Sequence, residues 1–299
     1  MGLAKEGAKV VTNNRRPGST GHVHLDDSIL NSMTTEQREW LREQVEESTG
    51  DAETTAEAIR EIGGEAVPFF GDISSFEIAG KLVQTAVDNF GKLDILVNVA
   101  GTFGFSALWE MTEELWDYVT LTKPKGYFNC IRHAAPLMMK QRWGRILNCT
   151  SPAFLGGILK HAQYCAANAG VVGLTRAVAK ELHQYGITCN AFAPHARTRA
   201  SFELEAYDKT VAEAESPWLD RRYAFPLENT PSADDLVPFV AYLASDEAAE
   251  INGKVFSVAG SRIGVYSEPE ITKTLIKYGG KWTMDELRQQ VPRGLLARE

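Results

Sequence analysis

Nowhere does the sequence hold an apolar run of the roughly 18 residues that a bilayer-spanning helix needs. Nor does an apolar signal region open it. Positive charge is short as well: 31 Lys and Arg stand against 39 Asp and Glu, for a formal charge of −8. No basic stripe outweighs that balance, so non-specific nucleic-acid binding is not expected. Cysteine is scarce. The four thiols, Cys130, Cys149, Cys165 and Cys189, are widely spaced in apolar segments, which suits reduced packing thiols better than disulfides or metal ligands. Met1-Gly2 is followed by Glu6 where a myristoylation signal wants Ser or Thr. Repeats and low-complexity tracts are missing too. These absences point to a cytoplasmic globular protein with neither a membrane nor a nucleic-acid partner.

What is present is ordinary in bulk, with 44% hydrophobic and 23% charged residues, and it alternates between strands and helices. AKVVT at Ala8 to Thr12 reads as a strand after a helix end closed by Gly7. A polar loop follows. Helices are expected at Thr35 to Glu47, where Thr34 and Gln37 fit a capping box, and at Ala52 to Ile62. Ala66 to Phe70 is a strand ending near Asp72, Phe76 to Phe90 a helix, and Leu93 to Val97 a strand running into Asn98-Val99-Ala100-Gly101. Thr112 to Gln141 has a helical period interrupted by Pro124 and Gly126. Then come a strand at Arg145 to Cys149, a helix from Ala162, a strand at Thr188 to Phe192 and a variable stretch from Ser201 to Pro226. A helix at Ser232 to Ser245, a strand at Lys254 to Val258 and a short helix at Met284 to Gln290 complete the pattern. Near-continuous apolar strands alternating with helices predict an α/β fold, a parallel sheet covered on both faces. Its boundaries would be 1–266, with an insertion at about 15–50, and a C-terminal extension at 267–299.

The chemistry concentrates between Gly144 and Glu181. Ser151 precedes Tyr164 by 13 positions, and Asn168 follows the tyrosine by one helical turn. A serine at a strand's carboxyl end and a tyrosine on the next helix converge where open parallel sheets bind ligands.

This segment resembles the active-site stretch of the short-chain dehydrogenase/reductases, and further matches stand in register from Leu3 to about Tyr266. Asp72 matches the strand-end aspartate that contacts adenine. NVAG at Asn98 to Gly101, including Ala100, matches NNAG. Pro194 to Thr198 matches the loop whose threonine touches the nicotinamide carboxamide, with His195 in place of its glycine, and Val255 to Gly260 matches the last strand. HARTR at His195 to Arg199 and the tail KWTMDEL at Lys281 to Leu287 are most similar to the (3R)-hydroxyacyl-CoA dehydrogenase branch. The resemblance implies a Rossmann-like doubly wound sheet, NAD or NADP as cofactor, a secondary alcohol or ketone as small-molecule substrate, and Ser151 and Tyr164 as the catalytic pair.

Three positions depart from the family. The chain begins at about the end of the family's first helix, without the first strand and the TGxxxGxG loop that lets backbone approach a pyrophosphate. The family's helix asparagine falls at Lys123 in KPKG, and its catalytic lysine falls at Asn168. Asn168 can hydrogen-bond a ribose but cannot supply a charge. The leading expectation is therefore a degenerate, poorly active or inactive subunit, a pseudoenzyme. It would assemble with itself or with an active paralogue acting on a hydroxyacyl-CoA, through the helices around 112–141 and 162–183. Small residues (Ala166, Ala167, Ala169, Gly170, Gly173 and Ala177) would permit close helix approach there. The alternatives are an active oxidoreductase with a longer start or a rearranged site, and a module binding CoA-type ligands. A rearranged site would pair Lys123 with Asn168 as an exchanged couple, the ammonium reaching Tyr164 from the opposite helix. Without the first strand, the Ala8 strand pairs directly with Leu93 to Val97, the first unit shifts, or other sequence fills the gap. Arg15 and Arg16, where phosphate preference is set, are expected to be solvated. His161 and His195 suit no metal motif, so no metal is expected.

Overall fold

In the computed structural model, which describes residues 1–18, 31, 33–47, 50–102, 104–156, 160–198, 200 and 230–296, the strands do not join into one sheet. Strand β1 (Val10–Asn14) pairs in parallel with β2 (Ala66–Phe70) alone. The larger sheet runs in the order β3 (Ile95–Asn98), β4 (Gly144–Cys149), β5 (Ile187–Pro194), β6 (Val255–Ala259), β7 (Arg262–Val265). Its first four strands are parallel, and β7 turns back antiparallel onto β6. Direct pairing of the first strand with the segment from Leu93 to Val97 is therefore not what happens: among the described residues β1 bonds only β2, and β3 bonds only β4. Among the described residues each has one edge with no paired strand, and their residues are half-buried, Asn98 excepted. All of β4, and all of β5 up to Ala193, is buried.

The helices are α1 (Gly2–Lys5), α2 (Thr35–Glu47), α3 (Ala52–Glu61), α4 (Phe76–Phe90), α5 (Glu113–Thr120), α6 (Gly126–Gln141), α7 (Ala162–Leu182), α8 (Val237–Leu243) and α9 (Met284–Gln290). Their ends follow local chemistry. Asp51 accepts from Glu53 and Thr54 in a capping box that starts α3, and Gly91 takes the left-handed conformation that stops α4. Because side chains alternate along a strand, Ile146 and Leu147 of β4 enter different cores. Ile146 packs with Met138, Leu182, Ile187 and Cys189 beneath α6 and α7. Leu147 packs with Phe192, Leu243 and Val258, joined at the edge by Leu3 of α1 and by Ile95 and Val97 of β3. Around β1 and β2 the core is small: Ala4, Ala56, Ile59 and Ala66, with Val10 beside them.

Three elements differ from expectation. The interruption at Pro124 is not a break but a π-turn, Leu121–Lys125, that joins α5 to α6. Pro124 has no N–H to give, and its ring would crowd the carbonyl of Thr120 in an α-helical turn. The turn widens instead, and Gly126 N–H reaches back to Leu121 O. The helix expected over Ser232 to Ser245 is a 3₁₀ turn, Ala233–Leu236, followed by the shorter α8, with Pro238 in the first turn of α8 where a missing N–H does least harm. Strand β7, only four residues long and exposed along its length, is not among the expected strands. The variable stretch from Ser201 to Pro226, and residues 19–30 of the expected insertion, lie outside the described residues.

The chain divides into two units, Met1–Val265 and Tyr266–Glu299. Within the second, Thr283 and Glu286 form the capping box of α9. Lys277 bonds Glu286 at 2.7 Å and holds its carboxyl down at about 2, helped by the Thr283 backbone.

Candidate active site

The β4 strand delivers its last residues to a point where four elements meet. Thr150 N–H bonds Phe192 O, and Ser151 then caps a 3₁₀ turn, Pro152–Leu155, its Oγ accepting from Ala153 N–H at 3.2 Å. That turn packs on α7, as does the π-turn. Tyr164 stands in the first turn of α7, half-buried. His161, buried at the N-cap, sets its ring edge-on to Phe105 at 4.2 Å and to Tyr164 at 6.2 Å.

Lys123 enters from the π-turn and is 3% exposed. Its Nζ lies 5.7 Å from the centre of the Tyr164 ring and 5.8 Å from that of Tyr127. A Cβ built on Gly101 would stand 3.3 Å from that Nζ, so the glycine after β3 leaves room for the ammonium. Among the described residues, no carboxylate and no hydrogen-bond acceptor pairs with Lys123.

Asn168 is fully buried and gives its amide to the protein. Its Nδ2–H donates to Tyr164 O at 2.8 Å, and Thr150 Oγ–H donates to Asn168 O at 3.1 Å. The residue pins α7 to the end of β4. Asn98 is likewise engaged, donating to Asn148 Oδ1 at 2.9 Å, while Asn148 donates to Thr175 Oγ at 3.0 Å.

Tyr127, which nothing in the sequence marked, sits behind the site. Its hydroxyl is shared between Ala100 O at 2.9 Å and Cys149 O at 3.2 Å, so one phenol ties the ends of β3 and β4 together. Burial first, then the neighbouring Cys149 and Tyr164, pushes that phenol well above its usual range. Burial also raises the Cys149 thiol, with the Lys123 ammonium opposing the shift.

The remaining expected positions are spread around this point. Val99, Ala100 and Gly101 are exposed beyond β3. Asp72 accepts from Ser74 N–H and pairs with Arg15 Nε at 3.1 Å. Arg15 is not simply solvated: it also donates to Thr122 Oγ at 3.2 Å and lies over the Tyr118 ring at 4.9 Å. Arg16 is exposed. Pro194 ends β5, and Thr198 is exposed on the loop beyond it. His195 bonds through its N–H to Val258 O and meets Thr230 Oγ at 3.4 Å. Burial first, and then Arg262, lowers its imidazole value. Among the described residues there is no group of three His, Cys, Asp or Glu that could hold a metal, and no helix is long and apolar enough to cross a membrane.

The residues fit a nicotinamide dinucleotide at one end. A buried cation, a glycine without a Cβ beside it and the buried Thr102 hydroxyl, which has no hydrogen-bond partner among the described residues, surround the ends of β3 and β4. The other end fits less well. Phosphates are held at helix N-termini, whereas the left-handed glycines near β1 and β2, Gly7 and Gly63, follow the C-terminal ends of α1 and α3.

The profile of the short chain dehydrogenase family matches residues 36–203. The 3-oxoacyl-[acyl-carrier-protein] reductase FabG of Staphylococcus epidermidis is 36% identical over 213 residues, covering 71% of this chain and 84% of the relative. The hydroxyacyl-CoA dehydrogenase ChsB1 of Mycobacterium tuberculosis is 34% identical over 238 residues, covering 77% of this chain and 71% of the relative. The crystal structure of a short chain dehydrogenase from Mycobacterium avium aligns with a TM-score of 0.74 at 32% identity, over 99% of this chain and 89% of that one.

Proposed function

Because the chain belongs to the short-chain dehydrogenase family, we propose that it is an NAD(P)-linked oxidoreductase. Its reaction interconverts a ketone and a secondary alcohol on an acyl thioester, the substrate class named for its FabG and ChsB1 relatives. The observation that carries this reading is the placement of Tyr164. The tyrosine stands in the first turn of α7, the helix after Ser151, with a buried ammonium 5.7 Å from the centre of its ring. When bound, the dinucleotide supplies or accepts the hydride. Tyr164 Oη gives its proton to the carbonyl oxygen during reduction and recovers one from the hydroxyl during oxidation. The Ser151 hydroxyl orients that oxygen. Asn98 and Asn168 support the site from behind, since both amides are engaged within the protein.

The test is reduction of a 3-oxoacyl thioester by the purified chain, followed by loss of NADH or NADPH absorbance, with dinucleotide binding measured by calorimetry. Turnover is expected, and Tyr164→Phe should lower kcat by about 100-fold or more, the scale of losing a general acid. A chain that neither binds a dinucleotide nor turns over would end this reading.

The edges of β1 and β3 that pair with no described strand favour a second reading, in which the chain is a weakly active or inactive subunit that assembles with itself or an active paralogue. Ala166, Ala169, Gly170, Gly173 and Ala177 form an exposed row of small side chains on α7, and Trp116 and Phe128 are exposed on α5 and α6. These are the helices through which close packing would occur. Co-expression with such a paralogue, followed by size-exclusion chromatography and assay, tests it. Unchanged elution and unchanged activity would remove the second reading.

A further inference from the structure

Lys123 is a buried cation with no counter-ion among the described residues, and the fold places it there through a widened turn. Burying an ammonium is costly unless something compensates. Two aromatic faces at 5.7 and 5.8 Å give a partial return. The lysine reaches this position from a widened helical turn built around Pro124. The opposite wall is a glycine whose missing Cβ would crowd the ammonium. Deeply placed charges with perturbing neighbours cluster at functional sites. Position 168, one turn after the tyrosine, holds a neutral amide that is already bonded to Tyr164 O.

We propose that Lys123 is the positioning residue of this site, supplying to Tyr164, from the opposite helix, the positive charge that position 168 lacks. The inference rests on Tyr164 being the proton-transfer group. An ammonium next to a phenol favours the form that carries negative charge, which is the form the phenol takes after giving up its proton. Lys123 and Asn168 are then an exchanged pair: the charge stands on the π-turn, and the amide stands on α7.

The test uses the full chain with Lys123→Met, Lys123→Arg and the double exchange Lys123→Asn/Asn168→Lys. In the oxoacyl thioester assay, Lys123→Met should lower kcat by about 100-fold with KM little changed, the scale seen when one preorganised electrostatic contact is removed. Lys123→Arg should recover part of the loss, and the double exchange should come within about tenfold of the parent. A structural role alone predicts no rescue by a lysine moved to another helix. A second readout needs no turnover. The tyrosinate absorbance that Tyr164→Phe removes should rise at higher pH in Lys123→Met than in the parent chain. If Lys123→Met does not fold, Lys123→Gln keeps the stem and carries the same comparison. An active parent with an unaffected Lys123→Met kcat and an unmoved tyrosinate signal overturns the role of Lys123 alone. An inactive parent overturns the functional reading, and the tyrosinate comparison still decides whether Lys123 acts on Tyr164.

Discussion

Strands β1 and β4 invert what their compositions suggest. β1 reads VVTNN and is half-buried throughout, whereas β4 reads GRILNC and is buried at every position, its arginine and asparagine included. The difference lies in neighbours. β4 runs between β3 and β5 with packed helices on both faces, while β1 has β2 on one edge and no described strand on the other. A polar side chain can enter the crowded strand because its groups are met there. The Arg145 guanidinium donates to the carbonyls of Gly144, Ser245 and Gly186 and lies 4.4 Å over the Trp143 ring. In β1, by contrast, Asn13 reaches sideways to Phe69 O and Gly71 O, so its amide stitches the pair of strands and adds nothing to a core.

The contrast can be broken most directly by truncation. Leu147→Ala should cost about 2–5 kcal/mol, as a cavity cut in a close-packed core does, while Val11→Ala should cost about 1 kcal/mol or less. Urea denaturation of the two variants gives the comparison, and equal losses would show that the small sheet is as well supported as the large one. A smaller effect is expected where β3 and β4 end. Tyr127→Phe removes the hydroxyl shared by Ala100 O and Cys149 O and should cost about 1–3 kcal/mol, read as a lower denaturation midpoint. A midpoint like the parent's would mean that the two strand ends hold without their tie. The smallest effect lies just past β5. The folded state lowers the His195 imidazole value, so the unfolded chain takes up a proton first as pH falls through about 6.5. Stability is fully present above that value and declines below it. His195→Gln should flatten the dependence of Tm on pH between about 7 and 5; an unchanged slope would assign that dependence to other groups.

Local chemistry made several elements legible from sequence. The helix at Phe76–Phe90 and the helix at Met284–Gln290 could be placed to the residue, because an apolar period or a capping box sits between clear end signals, with Gly91 after the first and Thr283 before the second. Strand pairing was not legible in this way. Whether β1 meets β3 depends on what lies between them in space, and neither strand's residues encode that. Arg15 looked solvated because its ion pair and its ring, Asp72 and Tyr118, are distant in sequence. In the candidate site, spacing alone relates Ser151, Tyr164 and Asn168. The approach of Lys123 to Tyr164 stood in the sequence only as one alternative; it and the bridging by Tyr127 come from how the π-turn and α6 pack against α7 and the sheet. Proline in a helical run is ordinarily a stop signal, and nothing in KPKG says that this helix continues.

That continuing helix has a consequence for length. Each residue of an α-helix turns the side-chain direction by about 100°, so the extra residue accommodated in Leu121–Lys125 resets the phase of everything downstream. Upstream, Val119 is buried; within the turn Thr122 and Lys123 are buried; downstream, Gly126, Tyr127, Cys130, Ala134 and Met138 continue the buried side. Remove one residue from the turn and both helices could persist, but their inward faces would fall out of step. Either Lys123 would swing off the Tyr164 ring or Tyr127 would let go of the strand ends. The turn thus works as a spacer that sets which side chains meet across the site, and it should tolerate exchange of its exposed members, Leu121 and Lys125, far better than a changed number of residues.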